Sequence, residues 1–332
     1  MLGTNGGGFF GVNSAHPFEN PTALSNFFQA LAILLLPVAQ IWAFGKISKR
    51  MPHALTMGGV MLFLLLGGLA LALWSEYRPH PIAGLLSWME GKEVRFGITP
   101  SVLWTVITTA ASNGSVNAMI DSHSPLTGGV AIFNILLGEI IFGGVGVGLT
   151  GMVLFAILTV FLSGLMVGRT PEYLGRKIES REILLALGGI LIPGLLALVF
   201  TSLAAALPYG AAALTNSGPH GVTELAYAYA SATGNNGSAF GGLGVGPNFY
   251  NITLSIVMLL SRAVAIFPIL FIAEALSRKK FIAPNSGTFP TAGLTFGVAL
   301  FGVVLILGAL TFFPLLVIGP IAEHLLMGAV YF

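Results

Sequence analysis

Ser112-Asn113-Gly114-Ser115 and Asn235-Asn236-Gly237-Ser238 carry one pattern 123 residues apart, and Thr4-Asn5-Gly6-Gly7 carries it 108 residues before the first of these. Similar runs precede the two later copies, Thr109-Ala110-Ala111 and Ser231-Ala232-Thr233-Gly234. Upstream of those two lie apolar stretches at 98–111 and 222–233, too short to cross a bilayer. A long apolar stretch ending in a basic loop follows all three. A period this long is an internal repeat, not low-complexity sequence. One Asn-Gly pair alone reads as a tight turn. Three of them, at the same place in a repeat and on the same side of a membrane, read as re-entrant loops. Non-helical backbone at membrane depth lines a water-filled path or is buried in protein. Glycine lets carbonyls turn inward there, rings of carbonyls can replace a monovalent cation's hydration shell, and the C-terminal end of a short helix adds partial negative charge. The predicted ion-binding residues are therefore Thr4, Asn5, Gly6, Ser112, Asn113, Gly114, Asn235, Asn236 and Gly237, acting through their backbone carbonyls.

The rest of the chain agrees with a membrane setting. Of 332 residues only 26 are Asp, Glu, Lys or Arg, which is 8 % where soluble domains carry about 25 %. Hydrophobic residues make up 55 % and the mean hydropathy is +0.90. Too few charges remain to cover a soluble surface, which excludes a soluble enzyme or a nucleic-acid binder. Candidate spans of the required length, about 20 residues, lie at 22–45, 54–74, 149–168, 183–207, 248–276 and 293–318. A further short apolar piece lies at 129–142. Residues 1–21 lack the basic start and apolar run of a signal peptide. Ten of the 14 Lys and Arg fall in three loops, at 46–50, 169–181 and 278–280. Placing those loops in the cytoplasm leaves 1–21, 75–97, 208–221 and the C-terminus outside, together with all three Asn-Gly segments. With no cysteine, disulfides, thiolate chemistry and Cys-ligated metals are excluded.

At these motifs the sequence resembles the potassium-binding and translocating A subunits (KdpA) of bacterial Kdp potassium-transporting ATPases. The likeness runs through Gly3-Thr4-Asn5-Gly6-Gly7-Gly8-Phe9-Phe10 and Asn13-Ser14-Ala15-His16-Pro17-Phe18-Glu19-Asn20-Pro21. It continues in Met89-Glu90-Gly91-Lys92-Glu93, Gly168-Arg169-Thr170-Pro171-Glu172-Tyr173-Leu174-Gly175, Gly218-Pro219-His220-Gly221 and Asn235-Asn236-Gly237-Ser238-Ala239-Phe240. The resemblance implies an all-α polytopic membrane protein of the potassium-channel-like superfamily, built from transmembrane–pore-loop–transmembrane repeats with re-entrant filter loops. It implies potassium as the transported ligand, bound outside and passed sideways to an ATP-hydrolysing B subunit, with C and F subunits also present in the bacterial inner membrane. No covalent cofactor and no nucleic acid enter that picture; membrane lipid surrounds it. The family has four repeats where three loops are visible here. Residues 1–53 read as a truncated second repeat, 54–182 as the third, 183–290 as the fourth and 291–332 as a C-terminal span, with the first repeat missing. The chain alone is then expected not to transport potassium.

Gly143-Gly144-Val145-Gly146-Val147-Gly148-Leu149-Thr150-Gly151 holds five glycines in nine residues. It matches G-x-G-x-x-G formally, but that signature needs a strand before it and a soluble βαβ unit, whereas apolar helical segments flank it here. Close helix packing through small residues is one reading. The resemblance favours another, a helix broken beneath the pore, with Gly143, Gly144, Gly146 and Gly148 as the gate. Arg262, in mid-span, and Glu139, in the half-helix 129–142, are ionisable groups at membrane depth and hence functional candidates. A structural salt bridge between them is one possibility; an Arg262 charge beside the ion path, opposing passive leak, is the one the resemblance supports. The six histidines are scattered without metal-ligand spacing. Asp121-Ser122-His123 lacks a nucleophile elbow or third partner. There is no phosphate-binding loop and no Asp-Lys-Thr-Gly, so ATP chemistry is assigned to another chain. A secondary cation transporter with a broken-helix substrate site is the alternative, but the repeats run in one direction and Glu139 is the only central acid.

Overall fold

The computed structural model describes residues 2–3, 6–78, 89–143, 148–244, 246, 248–283 and 288–329. Among the described residues six helices are long and apolar enough to cross a membrane. They are α1 (Ala23–Ile47), α2 (Met51–Glu76), α5 (Gly148–Met166), α6 (Ser180–Ala206), α9 (Asn248–Arg278) and α10 (Leu294–Leu316). Between them stand the shorter α3 (Ile98–Ala110), α4 (Pro125–Leu136), α7 (Pro208–Ala211) and α8 (Gly218–Gly234), and α11 (Ala322–Ala329) closes the series after a kink at Val317–Ile321. The chain is a multi-pass helical membrane protein.

Local chemistry sets the boundaries. Thr22 caps α1 by accepting the Ser25 backbone N–H at 3.1 Å, and the Ser25 hydroxyl answers with a bond from the Thr22 N–H, so two otherwise unpaired donors are satisfied. Lys49 turns the chain at φ +55°, and Pro52 opens α2 where its missing N–H costs nothing. Pro37, Pro193, Pro268 and Pro314 lie inside α1, α6, α9 and α10. A membrane helix tolerates them because neighbouring groups re-satisfy the freed carbonyls.

The outward faces are apolar: Phe27, Leu31, Leu35 and Trp42 on α1 and Leu195 and Val199 on α6 are exposed, as a lipid-facing surface requires. Only α5 has half of its apolar window buried inside the chain, against 17 % for α9. The main core therefore forms around α5, where Phe155, Ile157 and Val160 meet Met57 and Met61 of α2 and Leu300 and Val304 of α10.

The two ends of the molecule differ. At one end the three basic loops come together. His53 at the start of α2 lies 3.0 Å from the Tyr173 hydroxyl and 2.7 Å from the Thr291 carbonyl oxygen, while Lys279 Nζ reaches Glu182 at 2.7 Å and Glu179 at 3.0 Å. A two-stranded hairpin, Glu172–Tyr173 with Arg176–Lys177, adds the one sheet among the described residues to an otherwise helical fold. Its turn, Leu174 and Gly175, is left-handed at both residues, the type I′ geometry. At the far end of α2, about 39 Å away at 1.5 Å per residue, Glu76 meets Lys92, which precedes the loop at Asn113, and His123 and Ser124, which follow it.

Candidate functional site

The loops at Asn113 and Asn236 are built alike. α3 ends at Ala110 and α8 at Gly234; Ser112, one residue past the helical cap Ala111, and Asn235, directly after α8, take left-handed backbone at φ +51° and +56°. The asparagine then folds back on the chain: the Asn113 N–H donates to the Thr108 carbonyl oxygen at 2.9 Å, and the Asn236 N–H to that of Ser231 at 3.3 Å. Asn113 Oδ1 accepts the Ser115 N–H at 3.2 Å, and Asn236 Oδ1 accepts the Ser238 N–H at 2.8 Å. Both are Asx turns, which an Asn side chain makes by mimicking backbone. Gly114 and Gly237 follow at φ +83° and +76°, and Gly6 has φ +62°; a Cβ is unfavourable at all three.

The three loops converge. A Cβ on Gly6 would lie 2.6 Å from the Asn236 carbonyl oxygen and 2.7 Å from that of Gly114, and one on Gly114 would strike the same Asn236 carbonyl. The Asn113 side-chain amide also donates to the Gly3 carbonyl oxygen. Backbone from residues more than 200 positions apart thus meets at one point, with no side chain between.

Of the predicted ion-binding set, Gly6, Gly114 and Asn236 meet there. Ser112, Asn113, Asn235 and Gly237 hold the turns around them. Thr4 and Asn5 lie outside the described residues. So do Gly144 and Gly146 of the glycine run. The other two members, Gly143 and Gly148, pack backbone to backbone so closely that a Cβ on Gly143 would lie 2.6 Å from the Gly148 Cα. Gly138, Glu139 and Phe142 have φ between +55° and +79°, so the helix is broken between α4 and α5. The break begins earlier than the apolar pattern 129–142 implies: α4 stops at Leu136, and Glu139 sits in the break and not in a half-helix.

Glu139 accepts the Ser112 hydroxyl, and its carboxylate also crowds the Cα of Gly234. It therefore stands directly beneath the ends of both short helices. Glu139 and Arg262 line one cavity of about 60 Å³, walled also by Thr150, Thr233, Asn235 and Ser261. That is room for a few waters. Among the described residues no ion pair within 4.0 Å joins the two charges. Asn235 Nδ2 donates to the Ser261 hydroxyl at 3.0 Å, one residue before Arg262, which ties this loop to α9.

Motif reading missed the clamps behind the loops. Trp104 Nε1 and Thr108 Oγ1 donate to the Ser115 carbonyl oxygen at 3.0 and 2.7 Å. In the other loop the Tyr227 hydroxyl bonds the Ser238 hydroxyl at 2.9 Å, and Ser231 donates to Asn236 Oδ1 at 2.7 Å. The 123-residue spacing relates Trp104 to Tyr227 and Thr108 to Ser231. Extending the repeat nine residues upstream of each asparagine finds them.

Outside the loops, His220 at the start of α8 bridges Asp121 Oδ1 at 2.5 Å and Glu323 Oε1 at 2.7 Å. Hydrogen bonds to these carboxylates push its pKa up to about 10, so it is an imidazolium at neutral pH. The Asp121 N–H also donates to the Phe240 carbonyl oxygen at 2.7 Å. The segment following one loop is thereby fastened to the other.

Residues 1–325 match the family model of the potassium-transporting ATPase A subunit, KdpA. The chain is 52 % identical over 328 residues to the potassium-transporting ATPase potassium-binding subunit of Leptospira interrogans, covering 98 % of this chain and 59 % of that protein. It is 53 % identical over 333 residues to the protein of the same name from Pseudomonas syringae pv. tomato, covering 99 % and 59 %. The chain thus spans about three-fifths of the length of the curated relatives it matches. The chain belongs to the potassium-transporting ATPase A subunit family.

Proposed function

We propose that this chain is the potassium-binding and translocating part of an ATP-driven uptake complex, and that its three Asn-Gly loops supply carbonyls to the selectivity filter. The observation that carries this reading is the convergence of Gly6, Gly114 and Asn236 backbone at one point. A dehydrated potassium ion needs several inward carbonyls and no intruding side chain. Left-handed glycines and Asx turns supply both. The loops and C-terminus face outward and the basic loops the cytoplasm of a bacterial inner membrane. The described loops belong to the second, third and fourth of the repeats at 1–53, 54–182 and 183–290, with 291–332 as the closing span.

Ions leaving the filter meet Glu139, whose carboxylate offsets the loss of carbonyl ligands. They then enter the cavity it shares with Arg262. The fixed positive charge opposes unassisted passage, and the glycine run that holds Gly143, Gly144, Gly146 and Gly148 gates the path below. The names of the relatives, potassium-binding subunits of a potassium-transporting ATPase, support an ATP-hydrolysing partner, in this reading a B subunit accompanied by C and F subunits; this chain contributes ion selection and not catalysis.

The test uses the chain extended to the length of its relatives and purified with the ATP-hydrolysing partner. Hydrolysis is expected to rise with potassium and not with sodium. Arg262→Gln is expected to let potassium move without hydrolysis, or to free hydrolysis from potassium. Hydrolysis indifferent to potassium in the unmutated complex contradicts the function. Unchanged coupling in the variant removes Arg262 from the ion path.

A further inference from the structure

Two segments that the filter reading leaves unused, Met89-Glu90-Gly91-Lys92-Glu93 and Asp121-Ser122-His123, meet at the end of α2. The Met119 N–H donates to the Gly91 carbonyl oxygen at 2.8 Å, and Lys92 pairs antiparallel with Ala118. Gly91 has φ +66°, and a Cβ there would lie 2.6 Å from Ser122 Cβ and 2.9 Å from Met119 Cβ. Only glycine allows this approach.

The approach places Lys92 Nζ 3.2 Å from Glu76 Oε2, where it also donates to the Ser122 carbonyl oxygen at 2.9 Å. Glu76 Oε1 accepts the Ser124 N–H at 2.5 Å and lies 3.4 Å from His123 Nδ1. The other imidazole nitrogen, Nε2, is 2.9 Å from the hydroxyl of Thr105, inside α3. The side chains of Glu76, Lys92 and His123 are all 0 % exposed. Burial lowers the pKa of both Lys92 and His123, with Glu76 pulling each the other way.

A buried ion pair adds little net stability compared with apolar side chains of the same volume, so stability alone does not account for three ionisable groups here. What they do geometrically is join four segments: the end of α2, the bridged segment at 91–92, the short helix α3 and the return at 122–124. The loop at Asn113 leaves from α3 and arrives at that return. Both of its ends are held by one network. A binding constellation must be kept within about 0.5 Å of its working geometry by groups that are themselves fixed.

We propose that Glu76, Lys92 and His123 are positioning residues that hold the loop at Asn113 in register and thereby set its discrimination among monovalent cations. This rests on the reading of that loop as part of a cation filter.

The experiment is potassium- and rubidium-stimulated ATP hydrolysis by the purified complex, with the chain at the length of its relatives. Lys92→Met alone leaves the buried Glu76 without its lysine counter-charge, and a low yield is expected. The double variant Glu76→Gln/Lys92→Met removes both charges and is expected to recover yield. Thr105→Val, which deletes only the link to His123, serves if neither accumulates. In the double variant, or in Thr105→Val, half-saturation by potassium is expected to rise by about tenfold, 1.4 kcal/mol of binding, with a narrower preference for potassium over rubidium. A network serving only the fold gives recovered yield with wild-type half-saturation and ion ranking, and that result overturns the proposal. Gly114→Ser, run alongside, separates the two ideas. If it shifts ion ranking and the network variants do not, the positioning role alone fails; if neither shifts it, the filter reading fails as well.

Discussion

The loops at Asn113 and Asn236 share their backbone almost residue for residue, yet the groups that fasten them differ. Each has a left-handed residue, an asparagine whose Oδ1 accepts from two residues on, and a left-handed glycine. Behind the first stand an indole, a threonine and a wholly buried Glu–Lys–His network. Behind the second stand a tyrosine, a serine and the Glu224 carboxylate, which accepts the N–H groups of Thr215 and Asn216 at 3.4 and 3.3 Å. The backbone conformation is what both loops have in common. The means of holding it was free to diverge.

The comparison breaks first at the two buried acids. Removing Glu76 strands Lys92 without a counter-charge, a loss of about 3–5 kcal/mol. Removing Glu224 unpairs two backbone donors held by long hydrogen bonds, about 1–3 kcal/mol. Glu76→Ala is therefore expected to lower the thermal midpoint of the purified complex more than Glu224→Ala does. Equal losses mean that the two fastenings are energetically alike and the difference is only one of chemistry.

A smaller effect tests the clasp between the two units. His220 has its pKa raised from the ordinary value near 6.5 to about 10 by Asp121 and Glu323. A raised folded-state pKa stabilises fully below the unfolded value and is lost as pH climbs through the folded one. Stability of the wild type is therefore expected to fall between about pH 6.5 and 10 by more than that of His220→Gln. The residue is partly exposed, so the effect shrinks in high salt. Parallel pH profiles for the two proteins remove the ion-paired imidazolium.

How much of this was legible in the sequence follows from distance along the chain. Spans, short helices and the Asn-Gly loops were readable because each is fixed by neighbours. Hydropathy marks the bounds of α1, α2, α5, α6, α9 and α10 to within four residues, and an Asx turn needs only Asn followed by Gly and Ser. The end of α4 was misjudged because the apolar run continues through Ile140 and Ile141, while Gly138 and Glu139 have already left the helix at positive φ. The Glu76–Lys92–His123 network was hidden because its members stand 16 and 31 residues apart in unrelated motifs. The carbonyl convergence was inferred only from repetition, since nothing local brings Gly6 to Gly114.

The most direct test of the account is the ion preference of the Asn-Gly loop glycines against glycines in plain spans. Gly114→Ser adds a side chain where a Cβ would strike the Asn236 carbonyl, and Gly237→Ser places one at φ +76°, which costs about 1–2 kcal/mol. Gly67 has open space around it and Gly188 meets only Ile192 at 3.7 Å. Potassium-stimulated ATP hydrolysis of the purified complex is measured against potassium, rubidium and ammonium for all four serine variants. The account predicts that Gly114→Ser and Gly237→Ser raise half-saturation by potassium about tenfold and narrow the ion ranking with membrane insertion intact, while Gly67→Ser and Gly188→Ser change yield alone. Wild-type half-saturation and ranking in the first two would mean that the Asn-Gly loops are plain turns.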